Sequence, residues 1–149
     1  MALAIETIAD SIHDLSVAGV KIYDIDEIPS GLDGRYPAII PLAEYVTDFT
    51  MERNSFGGGS TAKMTVTYTL HYRLCYAPVG LGRTNTLTNF DGMVEKAYLF
   101  LDAVLAVDTM DGLIDIVPLP VTSFGVVQDP AEVPYWGCDF ALQVMEFVN

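Results

Sequence analysis

The stretch most similar to a cofactor-binding motif is the glycine-rich segment 77–84, which reads APVGLGRT. A phosphate-binding loop has the pattern G-x-x-x-x-G-K-[ST], and its lysine reaches the bound phosphates. Arg83 stands where that lysine would be, and the next predicted helix begins several residues later, too far for its N-terminus to cradle phosphate. Because no buried parallel strand precedes the segment either, we interpret it as an ordinary glycine-containing loop.

A second motif that could bind a ligand is the dipeptide Asp111-Gly112, which resembles the middle of a calcium-binding loop. A calcium loop needs oxygen ligands at its first, third and twelfth positions. Those positions would fall on Val107, Thr109 and Pro118, so the required carboxylates are missing. The sequence therefore predicts no calcium site here.

The two histidines and two cysteines lack partners at catalytic or metal-ligating spacing. His13 fits the surface of a helix, and His71 fits the polar face of a strand. Cys75 and Cys138 fall at strand positions and lack the CxxC spacing or histidine partners of a zinc site, so we expect buried, reduced thiols. The residues thus indicate neither a catalytic centre nor a cofactor or metal site, and we expect a protein that is not an enzyme.

The pattern that organises the sequence is residues 64–76, MTVTYTLHYRLCY. Every even position is apolar and every odd position is polar or Cys75, which predicts a long strand with one buried face. A partner strand is predicted at residues 43–53, and the glycine-rich residues 54–61 join the two. We therefore expect a long antiparallel hairpin.

Side-chain matching predicts a register for this hairpin. Placing Glu52 opposite Lys63 brings opposite charges together and sets Phe49 opposite Val66 on the apolar face. A slip of one residue would move every apolar group to the wrong face.

The other elements follow from apolar periodicity and breakers. Helices are predicted at residues 4–18 and 89–107, the second capped by Thr88. Its predicted core face is Phe90, Met93, Ala97, Phe100, Leu101, Val104 and Leu105. Short strands are predicted at residues 20–23, 114–119, 121–127 and 136–144, and the proline-punctuated residues 35–41 form an edge segment leading into the hairpin. We expect one α+β domain spanning residues 1–149, with an antiparallel or mixed sheet packed against two helices.

Composition excludes two classes of protein. No apolar run approaches the roughly 18 residues of a membrane span, and the N-terminus has no basic region typical of a signal peptide. The net charge of −13 argues against a nucleic-acid-binding surface. Mean hydropathy of +0.34 is high for so acidic a chain and favours apolar surface buried against other subunits.

Charge is also segregated along the chain. Residues 53–90 contain four cations and no acid, whereas the rest of the chain carries −17 and has no Lys or Arg after Lys96. One interpretation is that these charges cluster by chance on a solvated surface. The other is that the basic hairpin of one copy docks on the acidic body of the next. The candidate interface residues are the four cations and one aromatic of the glycine-rich link: Arg53, Phe56, Lys63, Arg73 and Arg83.

The order of the predicted elements resembles that of a known family. The elements are the helix 4–18, the prolines of 36–41, the hairpin 43–76, the helix 89–107 and the closing strand 135–144. In this order the chain resembles the tail terminator, or tail completion, proteins of long-tailed bacteriophages.

The resemblance implies a structural virion protein without catalytic residues or cofactor. Such a protein forms a hexameric ring that caps the head-proximal end of the tail tube, stops tube polymerisation and joins the tube to the head connector. The implied partners are copies of itself, the tail tube protein and a head-completion protein, while DNA passes through without specific binding. Its implied location is the neck of the virion tail, after assembly in the bacterial cytoplasm.

Two other functions remain open. One is another tail-tube or head-tail joining subunit. The other is a small-molecule-binding α+β module, because a sheet covered by helices can enclose a pocket.

Overall fold

The computed structural model describes residues 3–53, 63–80, 86–107 and 112–148. Within them one sheet and two helices form an α+β fold, which confirms the predicted class. The strands are β1 (Lys21–Ile22), β2 (Ala38–Arg53), β3 (Met64–Pro78), β4 (Ile114–Pro118), β5 (Gly125–Gln128) and β6 (Pro134–Val148). The helices are α1 (Ile5–His13) and α2 (Thr86–Val104), and a short 3-10 helix covers Ile25–Glu27.

The strand order across the sheet is β1-β2-β3-β6-β4. The pair β1–β2 is parallel, and all other described pairs are antiparallel. Strand β5 also pairs with β6. Because β3 occupies the other side of β6 there, β4 and β5 follow the same edge of β6 one after the other. Between them residues 120–124 leave the edge, so the strand predicted at 121–127 is observed only at Gly125–Gln128.

The helices cover the sheet face formed by the even-numbered residues of β3 and β6. Side chains alternate along a strand, so the apolar residues of each strand reach one common layer. The rings of Phe100 and Phe140 lie 4.8 Å apart at its centre. Trp136, Phe140 and Leu142 share this core with Tyr68, Leu70 and Phe100, as the alternation predicts.

The opposite face of the sheet is covered at one end by the segment between β1 and β2. Leu32 is fully buried there in a second cluster with Tyr23, Ile40, Cys75 and Tyr135. Its backbone N–H donates to Asp129 Oδ2 at 3.0 Å, which fixes the segment to the turn before β6.

Both helices differ from the predicted bounds. Helix α1 ends at His13 rather than at residue 18, because the chain turns so that Val17 enters the core and bridges to Val20. Helix α2 already begins at Thr86, so Thr88 lies inside the helix and is not its cap. Of the predicted α2 core face, Met93, Ala97, Phe100 and Val104 are buried, whereas Phe90 and Leu105 are exposed.

The predicted hairpin register is wrong by two residues from Thr50 to Arg53 and by one residue at Val46 and Thr47. Met51, not Phe49, lies opposite Val66. A slip of two residues keeps every side chain on its own face, so alternation alone cannot detect it. The register shifts along β2 next to Pro41, which has no N–H for the ladder, and around Asp48, whose φ of 54° marks a bulge.

Candidate subunit interface

The hairpin arm is defined as residues 42–53 of β2 and 64–70 of β3, and its β2 side is exposed over most of its length. Strand β1 pairs with β2 only at Ala38 and Ile39. Among the described residues, the outer edge of β2 therefore has no strand partner from residue 42 to residue 53. An edge of this length is a template for pairing with another chain unless it is shielded.

The arm also exposes large apolar side chains. Phe49 and Met51 are 44% and 48% exposed, and Val46 near them is exposed as well. The Phe49 ring is stacked on Tyr68 at 5.9 Å with an interplanar angle of 14°, so its outer side faces solvent in a fixed orientation. Clustered exposed apolar side chains on a folded domain indicate a contact surface.

Two polar side chains of the arm are hydrogen-bonded to side chains of β3. Thr47 Oγ1 lies 2.5 Å from His71 Nε2 on the face away from the helices. The hydroxyls of Tyr45 and Tyr72 are hydrogen-bonded to each other at the base of the arm, and burial raises the pKa of Tyr45 to about 12. His71 is thus held as a structural partner of Thr47, as expected from its position on the polar face.

The five predicted interface residues fall into three groups. Arg53 and Lys63 are exposed at the end of the arm and, within the described part of the chain, form no ion pair. Arg73 is held by its own chain. Phe56 and Arg83 lie outside the described residues.

Arg73 is held by two neighbouring strands. Its Nε and Nη2 donate to the two carboxylate oxygens of Asp139 at 2.6 and 2.9 Å, and its Nη1 donates to the Gln128 carbonyl at 3.1 Å. The hydrogen bonds to Asp139 raise the pKa of Arg73. This bidentate geometry occupies the guanidinium, so Arg73 is less suited to a neighbouring copy than Arg53 or Lys63.

The opposite margin of the sheet is the outer edge of β4. Strand β4 pairs with β6 alone among the described strands, and Leu113, Val117 and Leu119 are exposed along it. Asp115 is exposed on the same strand. This margin is apolar with an exposed acid, whereas the hairpin arm is apolar, has the two cations Arg53 and Lys63 at its end and also carries three exposed acids, Glu44, Asp48 and Glu52.

Helix α2 carries an exposed apolar stripe that the sequence analysis missed. Its members are Leu87, Val94, Tyr98 and Leu105. Leu105 was assigned to the core face, but it lies on this outer stripe. The spacing of 7, 4 and 7 residues returns to one side of a helix, and this periodicity was the signal available in the sequence.

Some side chains that could take part in acid–base or nucleophilic chemistry are buried in the structure. The buried carboxylate of Glu146 accepts hydrogen bonds from the Tyr68 hydroxyl at 2.5 Å and the Ala4 N–H at 2.8 Å. Cys75 and Cys138 are free and buried, as predicted, and burial raises the pKa of each thiol to about 12. Over residues 3–53, 63–80, 86–107 and 112–148, no three His, Cys, Asp or Glu side chains come close enough to hold a metal ion.

Three clefts formed by described residues are large enough for a small molecule. One, about 680 Å³, lies over Arg73 and Asp139 between β6 and residues 120–123, and these two charged groups are paired with each other. Another, about 570 Å³, lies beside Lys21 and Arg35, and Arg35 donates to the Leu32 and Gly31 carbonyls. A third, about 370 Å³, lies between α1 and residues 24–26, and its charged lining consists of carboxylates.

Two comparisons with known proteins found no match. No model of a known protein family matches the sequence, and no curated protein is significantly similar to it. The described helices include none with the length and apolar character needed to cross a membrane.

Proposed function

We propose that this chain is a structural subunit that assembles head to tail into a closed ring and serves as the tail terminator of a long-tailed bacteriophage. The ring caps the head-proximal end of the tail tube, stops its polymerisation and joins it to the head connector in the virion neck. Its partners are copies of itself, the tail tube protein and a head-completion protein.

The observation that carries this proposal is the difference between the two margins of the sheet. One margin is the hairpin arm, with an unpaired strand edge, exposed Phe49 and Met51, and Arg53 and Lys63 at its end. The other is the β4 edge, with exposed apolar side chains and Asp115. Two different, complementary surfaces on one subunit make heterologous contacts, which close into a ring when the rotation between subunits allows.

Two further properties support a structural rather than a catalytic role. The buried carboxylate has two donors within the fold, the two thiols are buried, and His71 is paired with the Thr47 hydroxyl, which does not line the cleft that His71 borders. The net charge of −13 disfavours binding of phosphate, which suits a ring through which DNA slides without being held.

The test is to measure assembly of the purified chain alone and with a tail tube protein. We expect native mass spectrometry and negative-stain imaging to show closed rings, and we expect added chain to limit tube length. Open tubes of the chain itself would instead indicate a tube subunit. A chain that stays monomeric in both conditions and does not alter tube length would contradict the proposal.

A further inference from the structure

The apolar stripe of α2 is a continuous surface exposed to solvent. Successive residues of an α-helix are rotated by roughly 100°, which places Leu87, Val94, Tyr98 and Leu105 within about 20° of one line. Leu87 is 85% exposed, and Tyr98 and Leu105 are each 67% exposed. Leu105 belongs to the same helical line because its N–H donates to the Leu101 carbonyl at 3.2 Å. Helix α2 therefore has two apolar sides, of which the sheet covers one.

The direction of the stripe follows from the contacts around α2. Lys96, about half a turn away from the stripe, donates through Nζ to the Ala18 carbonyl at 2.7 Å, which places that side of α2 beside the segment after α1. Phe90, on the stripe side, contacts the Phe124 ring at 5.9 Å in the segment between β4 and β5. The stripe therefore faces the β4 margin of the molecule, away from β1 and the hairpin arm.

A row of carboxylates runs beside the stripe. Asp91, Glu95 and Asp102 are exposed on α2, rotated by roughly 40–80° from the apolar line. The stripe thus presents an apolar strip with negative charge along one side. The face of the hairpin arm that carries exposed Met51 presents the complement, because Arg53, two residues on, lies on the same side of the strand. Exposed Glu52 lies between them on the opposite side of the strand.

We infer that the α2 stripe is the docking surface for the hairpin arm of a second copy of this chain. In this contact Phe49 and Met51 of one copy pack against Tyr98 and Leu105 of the next, while Arg53 faces the carboxylate row and Lys63 lies at the same end of the arm. The two surfaces lie at opposite margins of one subunit, so each copy both donates an arm and receives one. The inference rests on the proposed ring function only in requiring a homo-oligomer.

The first experiment removes the apolar stripe. Tyr98→Gln with Leu105→Gln changes two exposed side chains and should leave the monomer folded by circular dichroism. We expect the protein concentration at half-assembly to rise at least tenfold. The matched control, Val126→Gln with Val133→Gln, removes the same kind of exposed apolar surface near the β5–β6 turn and should assemble as wild type does.

The second experiment exchanges charges across the contact. Arg53→Glu with Lys63→Glu should weaken assembly, and so should Asp91→Lys with Glu95→Lys. A chain carrying all four substitutions restores opposite charges and should assemble better than either double variant. If it assembles no better than the weaker double variant, the arm does not face the carboxylate row.

The third experiment mixes the two defective chains. The Arg53→Glu/Lys63→Glu chain keeps a native stripe, and the Tyr98→Gln/Leu105→Gln chain keeps a native arm. Only one native contact can form between them, so we expect dimers and no rings.

The results separate this inference from the proposed function. Rings that form normally from the stripe variant overturn the docking surface and leave the ring function standing. A wild-type chain that stays monomeric with and without tail tube protein overturns both.

Discussion

Gly137 marks the closest approach between β6 and β3. A Cβ at this position would lie 1.8 Å from the Leu74 carbonyl oxygen, next to the register shift between Cys75 and Ala77. Because a backbone carbonyl cannot move aside cheaply, we expect Gly137→Ala to cost about 3 kcal/mol or more of unfolding free energy. Urea denaturation of the variant and of wild type measures this difference in unfolding free energy.

Gly125 provides the control because it is paired directly with Gly137. A Cβ at Gly125 would have nothing within 4 Å, so Gly125→Ala should change stability by well under 1 kcal/mol. Equal effects of the two substitutions would mean that the close approach at Gly137 does not constrain the fold.

The two buried thiols predict a loss of stability at alkaline pH. Burial raises the pKa of Cys75 and of Cys138 from near 9 to about 12. Their contribution to the unfolding free energy is complete below about pH 9. It is lost as pH rises towards 12, because the thiols of the unfolded chain release their protons first. The slope is at most about 1.4 kcal/mol per pH unit for each thiol.

Urea denaturation at pH 8, 9 and 10 tests this slope. A Cys75→Ala/Cys138→Ala variant should lose less unfolding free energy over the same range. If the variant and wild type decline in parallel, the thiols do not control the alkaline limit.

At the residue scale, the sequence predicted which face of the sheet a side chain occupies but not which residue it contacts. Alternation placed Arg73 and His71 on the polar face and the cysteines at buried positions. It did not reveal the pair of Arg73 with Asp139, which lie 66 residues apart in sequence. That contact exists only because β3 and β6 are neighbours in one particular register, and neither fact is encoded by local periodicity.

At the scale of elements, helix α1 is attached to the sheet through the carboxylate of Glu146. This side chain accepts from the Ala4 N–H just before α1 and from the Tyr68 hydroxyl. Glu146→Gln keeps the shape but places an amide where two donors converge, and it removes negative charge from the start of the helix. We expect a loss of about 1–3 kcal/mol in unfolding free energy, measured with urea.

Asp115→Asn is the control, since it removes the same charge from an exposed position on adjacent β4. Its effect should stay within about 0.5 kcal/mol. A Glu146→Gln protein as stable as the control would show that the buried carboxylate does not hold α1.

The elements themselves were largely predictable, and their bounds were not. The long alternation from residue 64 to 76 identified β3 because its pattern is unbroken. Strand β6 was predicted to end at residue 144, since Glu146 interrupts the apolar positions although it is buried. The outer stripe of α2 was missed because the helix was read as having one apolar face.

At the scale of the whole molecule, segregated charge predicts that assembly weakens with salt. Exposed charges are screened over roughly 8–10 Å near physiological ionic strength. The concentration at half-assembly should therefore rise between 50 and 500 mM NaCl, as followed by native mass or light scattering. The Arg53→Glu/Lys63→Glu protein should show little or reversed dependence.

Arg73→Gln is the informative comparison for this prediction. Because Arg73 is already paired with Asp139, its neutralisation should leave the salt dependence close to that of wild type. A large change in salt dependence for Arg73→Gln, with none for the Arg53→Glu/Lys63→Glu protein, would indicate that the contact lies at the cleft over β6 and not at the end of the arm.

The whole-molecule architecture was predicted as a class but not as a strand order. The succession of helix, hairpin, helix and strands indicated an α+β domain. It gave no information that β6 separates β3 from β4, or that β1 joins β2 in parallel. Strand order depends on long-range pairing, which single-sequence periodicity does not report.

The central position of β6 has a consequence for the timing of synthesis. Strand β6 is translated after every other described element, yet it completes the core: Tyr68 meets Glu146 across 78 residues of sequence. Until β6 emerges from the ribosome, β3 lacks the strand with which it forms its longer ladder, and the core side of α2 has no finished sheet to cover. Contacts this distant in sequence also close slowly. A nascent chain therefore cannot present the two proposed docking surfaces in their final geometry, so we expect the proposed ring to close only from chains that have finished folding.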